Sequence, residues 1–115
     1  MILLCYSKCS TCKATIQELD NAGVRYESRD IKEENPDYEE LKKWYQASGL
    51  PLKKFFNTSG LIYKSMQLKD KLPDMTEEAQ LRLLATDGML VKRPMMIDGN
   101  AVYIGKKDIL QKYIV

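Results

Sequence analysis

Residues 8–13 read Lys-Cys-Ser-Thr-Cys-Lys, two cysteines separated by two residues and flanked by cations. Cysteines at this spacing hold a metal ion, cycle between dithiol and disulfide, or pack as small apolar side chains. Composition weighs against the metal: a structural zinc site takes four ligands, and this chain has no histidine and one further cysteine, Cys5. The redox chemistry needs a thiolate. That form is favoured at a helix N-terminus, beside cations and within a C-x-x-C pair, relative to a free thiol with its ordinary pKa of about 8.5. Cys9 has all three features at hand, with Lys8 and Lys13 close by, a helix opening at Thr11 and Cys12 one turn along. Inert packing fits Cys12 but fits Cys9 poorly, because Cys9 sits in a polar loop. Cys5, inside the apolar run Met1–Tyr6, reads as a buried, inert small hydrophobe. The six methionines, Met95 and Met96 among them, read as core filler.

Two further stretches carry polar chemistry. Arg93-Pro94 puts a guanidinium beside a proline that opens a strand, where it could steady a thiolate or grip an oxyanion through paired hydrogen bonds. The commoner fate of an arginine at a strand edge is a solvated surface position. Asn57-Thr58-Ser59-Gly60 is turn chemistry by composition, and Asn57 suits the end of one helix or the cap of the next.

The elements that position these residues are readable from periodicity. "MILLCY" is a short apolar run suited to a buried strand, with Ser7 to Ser10 as the loop leaving it. Cys12, Ile16 and Leu19 then follow helical spacing until Gly23 caps the helix, and Val24 to Ile31 alternates as a second strand. A β-α-β unit of this kind implies parallel pairing through a right-handed crossover. The middle is helical: Asn35-Pro36 as N-cap and first helical residue before a stripe of Leu41, Trp44 and Tyr45 that stops at Gly49, then pieces over 52–56, 61–69 and 76–85. "RPMMID" and "AVYI" flank the turn signal Asp98-Gly99-Asn100 as a hairpin, and Lys107 to Val115 makes a last amphipathic helix.

Length and charge bound the rest. At 115 residues the chain makes one domain with a real core. The mixture of 44% hydrophobic and 30% charged residues is that of an ordinary globular protein rather than a disordered one. No apolar run approaches the roughly 20 residues needed to cross a bilayer, and the N-terminus lacks the parts of a signal peptide, so the expected location is cytoplasmic. Three cysteines in such a chain do not form a structural disulfide framework. A net charge of +2, with both signs interspersed, is no nucleic-acid footprint. Nothing marks a self-complementary apolar face, so a monomer is expected.

This order of elements, with Cys9-Ser10-Thr11-Cys12-Lys13 after the first strand, Phe55-Phe56-Asn57-Thr58-Ser59-Gly60 in the middle and Lys92-Arg93-Pro94 before the third strand, resembles the arsenate reductase (ArsC/Spx) family. The likeness runs over nearly the whole chain. It implies an α/β, thioredoxin-like fold, β-α-β followed by β-β-α on a mixed four-stranded sheet, forming a single domain over 1–115 with a helical subdomain inserted at about 36–88. It implies a cis Arg93–Pro94 bond, with Arg93 reaching over the Cys9 thiol. Cys9 is then the nucleophile, Cys12 resolves the mixed disulfide, and the two pair on oxidation. Arg93 stabilises the thiolate or an oxyanion, and Ser10, Thr11, Asn57 and Pro94 are candidates for the substrate site. No cofactor is implied beyond an external thiol reductant, thioredoxin or glutathione.

Family members that reduce arsenate with glutathione use one essential cysteine and three arginines. Of those arginines this chain keeps Arg93 and has Asn57 and Gly105 where the others would stand, which argues against arsenate as the substrate. The resemblance supports two functions. One is a thiol–disulfide oxidoreductase, which predicts turnover on a thiol reductant and a disulfide substrate. The other is an Spx-like redox-sensing regulator that binds the C-terminal domain of the RNA polymerase α subunit, with no direct nucleic-acid contact. A non-catalytic domain with an accidental cysteine pair ranks last, because it makes Cys9, Arg93 and Pro94 coincidences.

Overall fold

Alternation along the first strand, β1 (Ile2–Cys5), decides how the two faces of the sheet are filled. Leu3 and Cys5 pack with Cys12, Leu19, Met96 and Ile109, whereas Leu4 joins a larger cluster with Ile31, Leu41, Phe55, Leu84 and Met95. The structure, a computed structural model, describes residues 1–114.

Helix α1 (Ser10–Asn21) follows, one residue earlier than its periodicity suggests, and buries Cys12, Thr15 and Leu19. Its C-terminus closes as a Schellman motif. Gly23 takes φ 74°, its N–H donates to the Asp20 carbonyl at 3.1 Å, and the Val24 N–H donates to that of Leu19 at 3.0 Å. Strand β2 (Glu27–Asp30) is shorter than the expected Val24–Ile31 and pairs parallel with β1 in the register Leu3 to Ser28.

After β2 the chain turns through residues 31–37 into α2 (Tyr38–Ser48), which begins two residues later than the Asn35-Pro36 signal implies. Asp37 is the cap. Its carboxylate accepts from the Glu40 N–H at 2.8 Å while the Glu40 side chain accepts from the Asp37 N–H at 3.2 Å, a reciprocal capping box that outcompetes a lone Asn-Pro. The Asn35 amide instead donates to the Ala85 carbonyl at 2.9 Å. Arg29 ties β2 to this helix by donating to both Glu40 carboxylate oxygens, at 2.6 and 2.8 Å, and to the Glu34 carbonyl at 2.9 Å.

The segment expected to be helical over 52–56 is a 3₁₀ turn, Leu52–Phe55. The helix expected over 61–69 is broken into α3 (Leu61–Ser65) and α4 (Leu68–Lys71), because Gln67 between them adopts the left-handed conformation at φ 55°. Two short 3₁₀ turns, Leu72–Asp74 and Gly88–Leu90, flank α5 (Glu77–Leu84), whose N-cap Thr76 accepts from the Ala79 N–H. Helices α2 and α5 pack together, and α2 lies against the end strand of the sheet.

Strands β3 (Met95–Asp98) and β4 (Ala101–Ile104) form the expected hairpin, and α6 (Lys106–Tyr113) follows, packed on α1. The expected helix reached Val115, which lies outside the described residues. The sheet order is β2-β1-β3-β4, with β1 parallel to β2 and antiparallel to β3. Helices α1 and α6 serve one face of the sheet and α2 to α5 the other. This mixed four-stranded sheet with β-α-β and β-β-α halves is the thioredoxin-like arrangement that the motifs imply.

Candidate functional site

Cys9 is the N-cap of α1, at φ −93° and ψ 119°, with its carbonyl accepting from the Lys13 N–H at 3.0 Å. The N–H groups of the first turn have no acceptor within the helix, and no acidic side chain occupies that turn, so the half-buried Cys9 thiol sits at the positive end of the helix dipole. The loop before it is folded back by the Cys9 N–H, which donates to the Tyr6 carbonyl at 3.0 Å.

Cys9 opens onto a cavity of about 470 Å³. Four of the seven candidate residues line it together: Cys9, Thr11, Asn57 and Arg93. The other three lie elsewhere. Cys12 is fully buried, Ser10 is exposed on the first turn of α1, and Pro94 is buried at the start of β3, where its carbonyl accepts from the Gly105 N–H. Ser10 and Pro94 therefore do not line the cavity.

Residues 55–57 run beside residues 90–92, and this pairing brings Asn57 and Arg93 to one cleft. The Asn57 N–H donates to the Leu90 carbonyl at 2.7 Å, the Lys92 N–H donates to that of Phe55 at 2.8 Å, and Phe56 bridges Val91. Asn57 then turns the chain by accepting from the Gly60 N–H at 3.0 Å. A Cβ on Gly60 would stand 2.6 Å from the Asn57 amide nitrogen, so the glycine leaves room for that side chain.

The Arg93–Pro94 bond is cis, as expected. The guanidinium uses Nη1 to donate to the Met89 and Val91 carbonyls, at 3.2 and 3.3 Å, and lies 5.5 Å from the centre of the Tyr6 ring. Its Nε is buried and has no partner among the described residues. Arg93 and Lys92 are the charged residues of the cavity wall, so the cleft is cationic.

Cys12 lies behind Cys9 with its sulfur accepting from the Tyr6 N–H at 3.4 Å. Its thiol is held below the ordinary cysteine range, first by the neighbouring Cys5 thiol and then by the Tyr6 N–H, Cys9 and the Arg93 charge, against burial, which acts the other way. Cys5 is buried as expected, but it is no isolated hydrophobe. The Cys12 thiol beside it, and then burial, push its own thiol far up. All three cysteines are free thiols. Among the described residues, no three His, Cys, Asp or Glu side chains are grouped to share a metal ion, and no helix is long and apolar enough to cross a membrane.

Sequence reasoning missed the apolar part of the wall, Leu61, Ile62 and Met89, of which Leu61 is 86% exposed. Leu61 directly follows the Asn57–Gly60 turn, so its neighbourhood was signalled; Met89 carried no signal. The contact of Cys5 with Cys12 had one: Cys5 and Leu3 share a strand face, and Cys12 lies on the apolar stripe of the helix that must cover it.

A sequence model of the ArsC family matches residues 4–109. Over 103 residues the chain is 50% identical to the uncharacterised protein YusI of Bacillus subtilis, a match that covers 90% of this chain and 87% of YusI. It is also 26% identical over 100 residues to the regulatory protein MgsR of the same organism, covering 87% of this chain and 78% of MgsR. Among solved structures, that of a possible arsenate reductase from Streptococcus mutans superposes with a TM-score of 0.85 at 43% identity, over 90% of this chain and 88% of the other.

Proposed function

The chain belongs to the ArsC family, and from that premise we propose that it is a thiol–disulfide oxidoreductase working through a Cys9/Cys12 dithiol–disulfide couple. The observation that carries this reading is the arrangement of the two thiols: Cys9 at a helix N-terminus on a cationic cleft, with Cys12 buried one turn behind it. Cys9, as thiolate, attacks one sulfur of a substrate disulfide, and the other substrate sulfur leaves and takes up a proton. Cys12, as thiolate, then attacks the Cys9 sulfur and expels the second substrate thiol. The substrate gains two electrons and two protons, and the protein is left with a Cys9–Cys12 disulfide. An external thiol such as thioredoxin or glutathione returns it to the dithiol.

Arg93 steadies the negative charge that passes between sulfurs. Arsenate is a poor fit, because an oxyanion would meet one arginine already partly committed to two backbone carbonyls. Asn57 supplies a neutral amide to the same cleft, and Gly105, at φ 94°, supplies no side chain.

The roles separate experimentally. In Cys12→Ser the mixed disulfide between Cys9 and a disulfide-bonded substrate peptide should accumulate and be seen by mass spectrometry, whereas Cys9→Ser should form none. Equal silence from both variants contradicts the assignment.

A second reading follows from the similarity to a protein named as regulatory, MgsR. In it the same couple senses oxidation, and the partner is the C-terminal domain of the RNA polymerase α subunit. It predicts an affinity for that domain that changes with the state of Cys9 and Cys12, and no turnover on disulfides.

A further inference from the structure

The cavity in front of Cys9 adjoins another. Lys92 lines it and also lines a second cavity of about 460 Å³, whose other walls are Pro51, Lys53, Lys54, Phe56 and Thr58. Residues 56–59 are shared out between the two: Asn57 and Ser59 line the first, Phe56 and Thr58 the second. Together the walls carry four cations, Lys53, Lys54, Lys92 and Arg93, and no aspartate or glutamate. The ion pairs among the described residues are Arg29–Glu40 and Arg82–Glu78, so the three lysines of the groove have no carboxylate partner there. Lys53 also borders a third cavity that Glu77 lines, without pairing with it. The first cavity adds an apolar rim, made by Leu61, which is 86% exposed, and the half-buried Ile62 and Met89.

We propose that the disulfide substrate of Cys9 is an acidic polypeptide segment. Its cysteine sits in the first cavity with an apolar neighbour against Leu61, Ile62 and Met89, and its carboxylates run past Lys92 to Lys53 and Lys54. This names the substrate class of the site and rests on the thiol–disulfide reading given above.

Charge and reach together select this occupant. A small anionic disulfide in the first cavity meets Lys92 and Arg93 and leaves Lys53 and Lys54 unused. A peptide spans both cavities, because an extended chain advances about 3.3 Å per residue. Nucleic acid matches the charge, but it has no sulfur for the thiol that the groove reaches. Phe56, the aromatic residue of the second cavity, is 1% exposed and offers no face on which a base could stack. Complementary charge of this kind acts mainly on the rate of encounter, so the rate is the quantity to read.

The probes are peptides of equal length, each with one cysteine activated as its 2-pyridyl disulfide and flanked by leucine. Several positions from the cysteine they carry aspartates, lysines or glutamines. In the Cys12→Ser protein the Cys9 thiolate attacks the peptide sulfur and forms the mixed disulfide. It expels 2-thiopyridone, which takes up a proton and is followed by absorbance. At low salt the aspartate peptide should react roughly tenfold faster than the glutamine peptide and the lysine peptide more slowly, and molar salt should erase the differences. Lys53→Gln/Lys54→Gln should reduce the aspartate-to-glutamine rate ratio by roughly threefold to tenfold, the effect of two partly screened charges. Lys53→Glu/Lys54→Glu should lower it further. Lys42→Gln/Lys43→Gln, which removes the same charge from α2 outside both cavities, should keep the ratio.

Equal rates for the three peptides overturn the proposal and leave Cys9 its role as nucleophile. A ratio unmoved by Lys53→Gln/Lys54→Gln confines recognition to the first cavity and overturns the proposal too. A short single-stranded DNA that blocks the reaction at lower concentration than an aspartate peptide without cysteine assigns the groove to nucleic acid, with the same consequence. No adduct with any peptide overturns the thiol–disulfide reading itself, and the proposal with it.

Discussion

Arg93 meets the cleft with a guanidinium whose donors are partly used. Two backbone carbonyls hold Nη1, the Tyr6 ring lies under the charge, and Nε is buried without a partner among the described residues. That anchoring fixes where the positive charge stands, which suits a group that must favour negative sulfur without swinging away. Its influence should appear as a charge preference. In Arg93→Met, alkylation of Cys9 by anionic iodoacetate should slow by roughly fivefold to tenfold more than alkylation by neutral iodoacetamide, the size expected for one partly screened charge. An unchanged ratio of the two rates removes Arg93 from the field at the thiol. That Cys9 opens a helix and Arg93 precedes a strand was legible from the sequence pattern, whereas the meeting of Cys9, Thr11, Asn57 and Arg93 at one cavity was implied by the family resemblance and not by spacing. Ser10 and Pro94 were not separable from them, because neighbours in sequence differ in burial: Ser10 is exposed on the helix and Pro94 is enclosed at the root of β3. The burial of Cys5 was legible from the apolar run, and its place beside Cys12 from the strand face it shares with Leu3 opposite the apolar stripe of α1.

At the scale of elements, the site depends on how residues 88–93 are seated. The buried Gly88 opens the 3₁₀ turn that leads into Val91 and Arg93, and a Cβ there would stand 1.7 Å from the Ile31 carbonyl oxygen and 3.2 Å from the Asn35 side chain. The first of these is backbone and cannot rotate aside. Gly88→Ala should therefore destabilise the protein by about 2 kcal/mol or more in denaturant unfolding, the cost of forcing volume into a closed contact. A variant as stable as the parent would mean that the turn shifts freely and does not hold Arg93 in place. The helices and strands themselves were largely legible from periodicity. Their ends were not, for identifiable reasons. Asp37 and Glu40 satisfy each other's backbone groups and delay α2 past Asn35-Pro36. Gln67 takes a left-handed conformation that nothing in its sequence neighbourhood demands, and so divides the expected helix over 61–69.

Across the whole molecule, the two faces of the sheet take different parts in the site. Helices α1 and α6 seal Cys5 and Cys12 from water on one side of β1, while the segments between β2 and β3 build the opposite wall of the cleft in front of Cys9. The parallel pairing of β1 and β2 follows from the crossover between them. The insertion of β3 beside β1, which carries Arg93 to the cysteines, depends on pairing between residues more than ninety positions apart, such as Ile2 with Ile97, and no local signal encodes it. The result is a nucleophile at the surface with a resolving thiol inside, and the central claim is that these two form the working couple. The measurement that tests it most directly is equilibration of the protein in glutathione redox buffers, with both thiols read by mass spectrometry. The account predicts a single two-electron transition that yields an internal Cys9–Cys12 disulfide, with a potential in the thioredoxin to glutaredoxin range of roughly −270 to −200 mV. Glutathione held on Cys9 at every poise, with Cys12 remaining a free thiol, would contradict it.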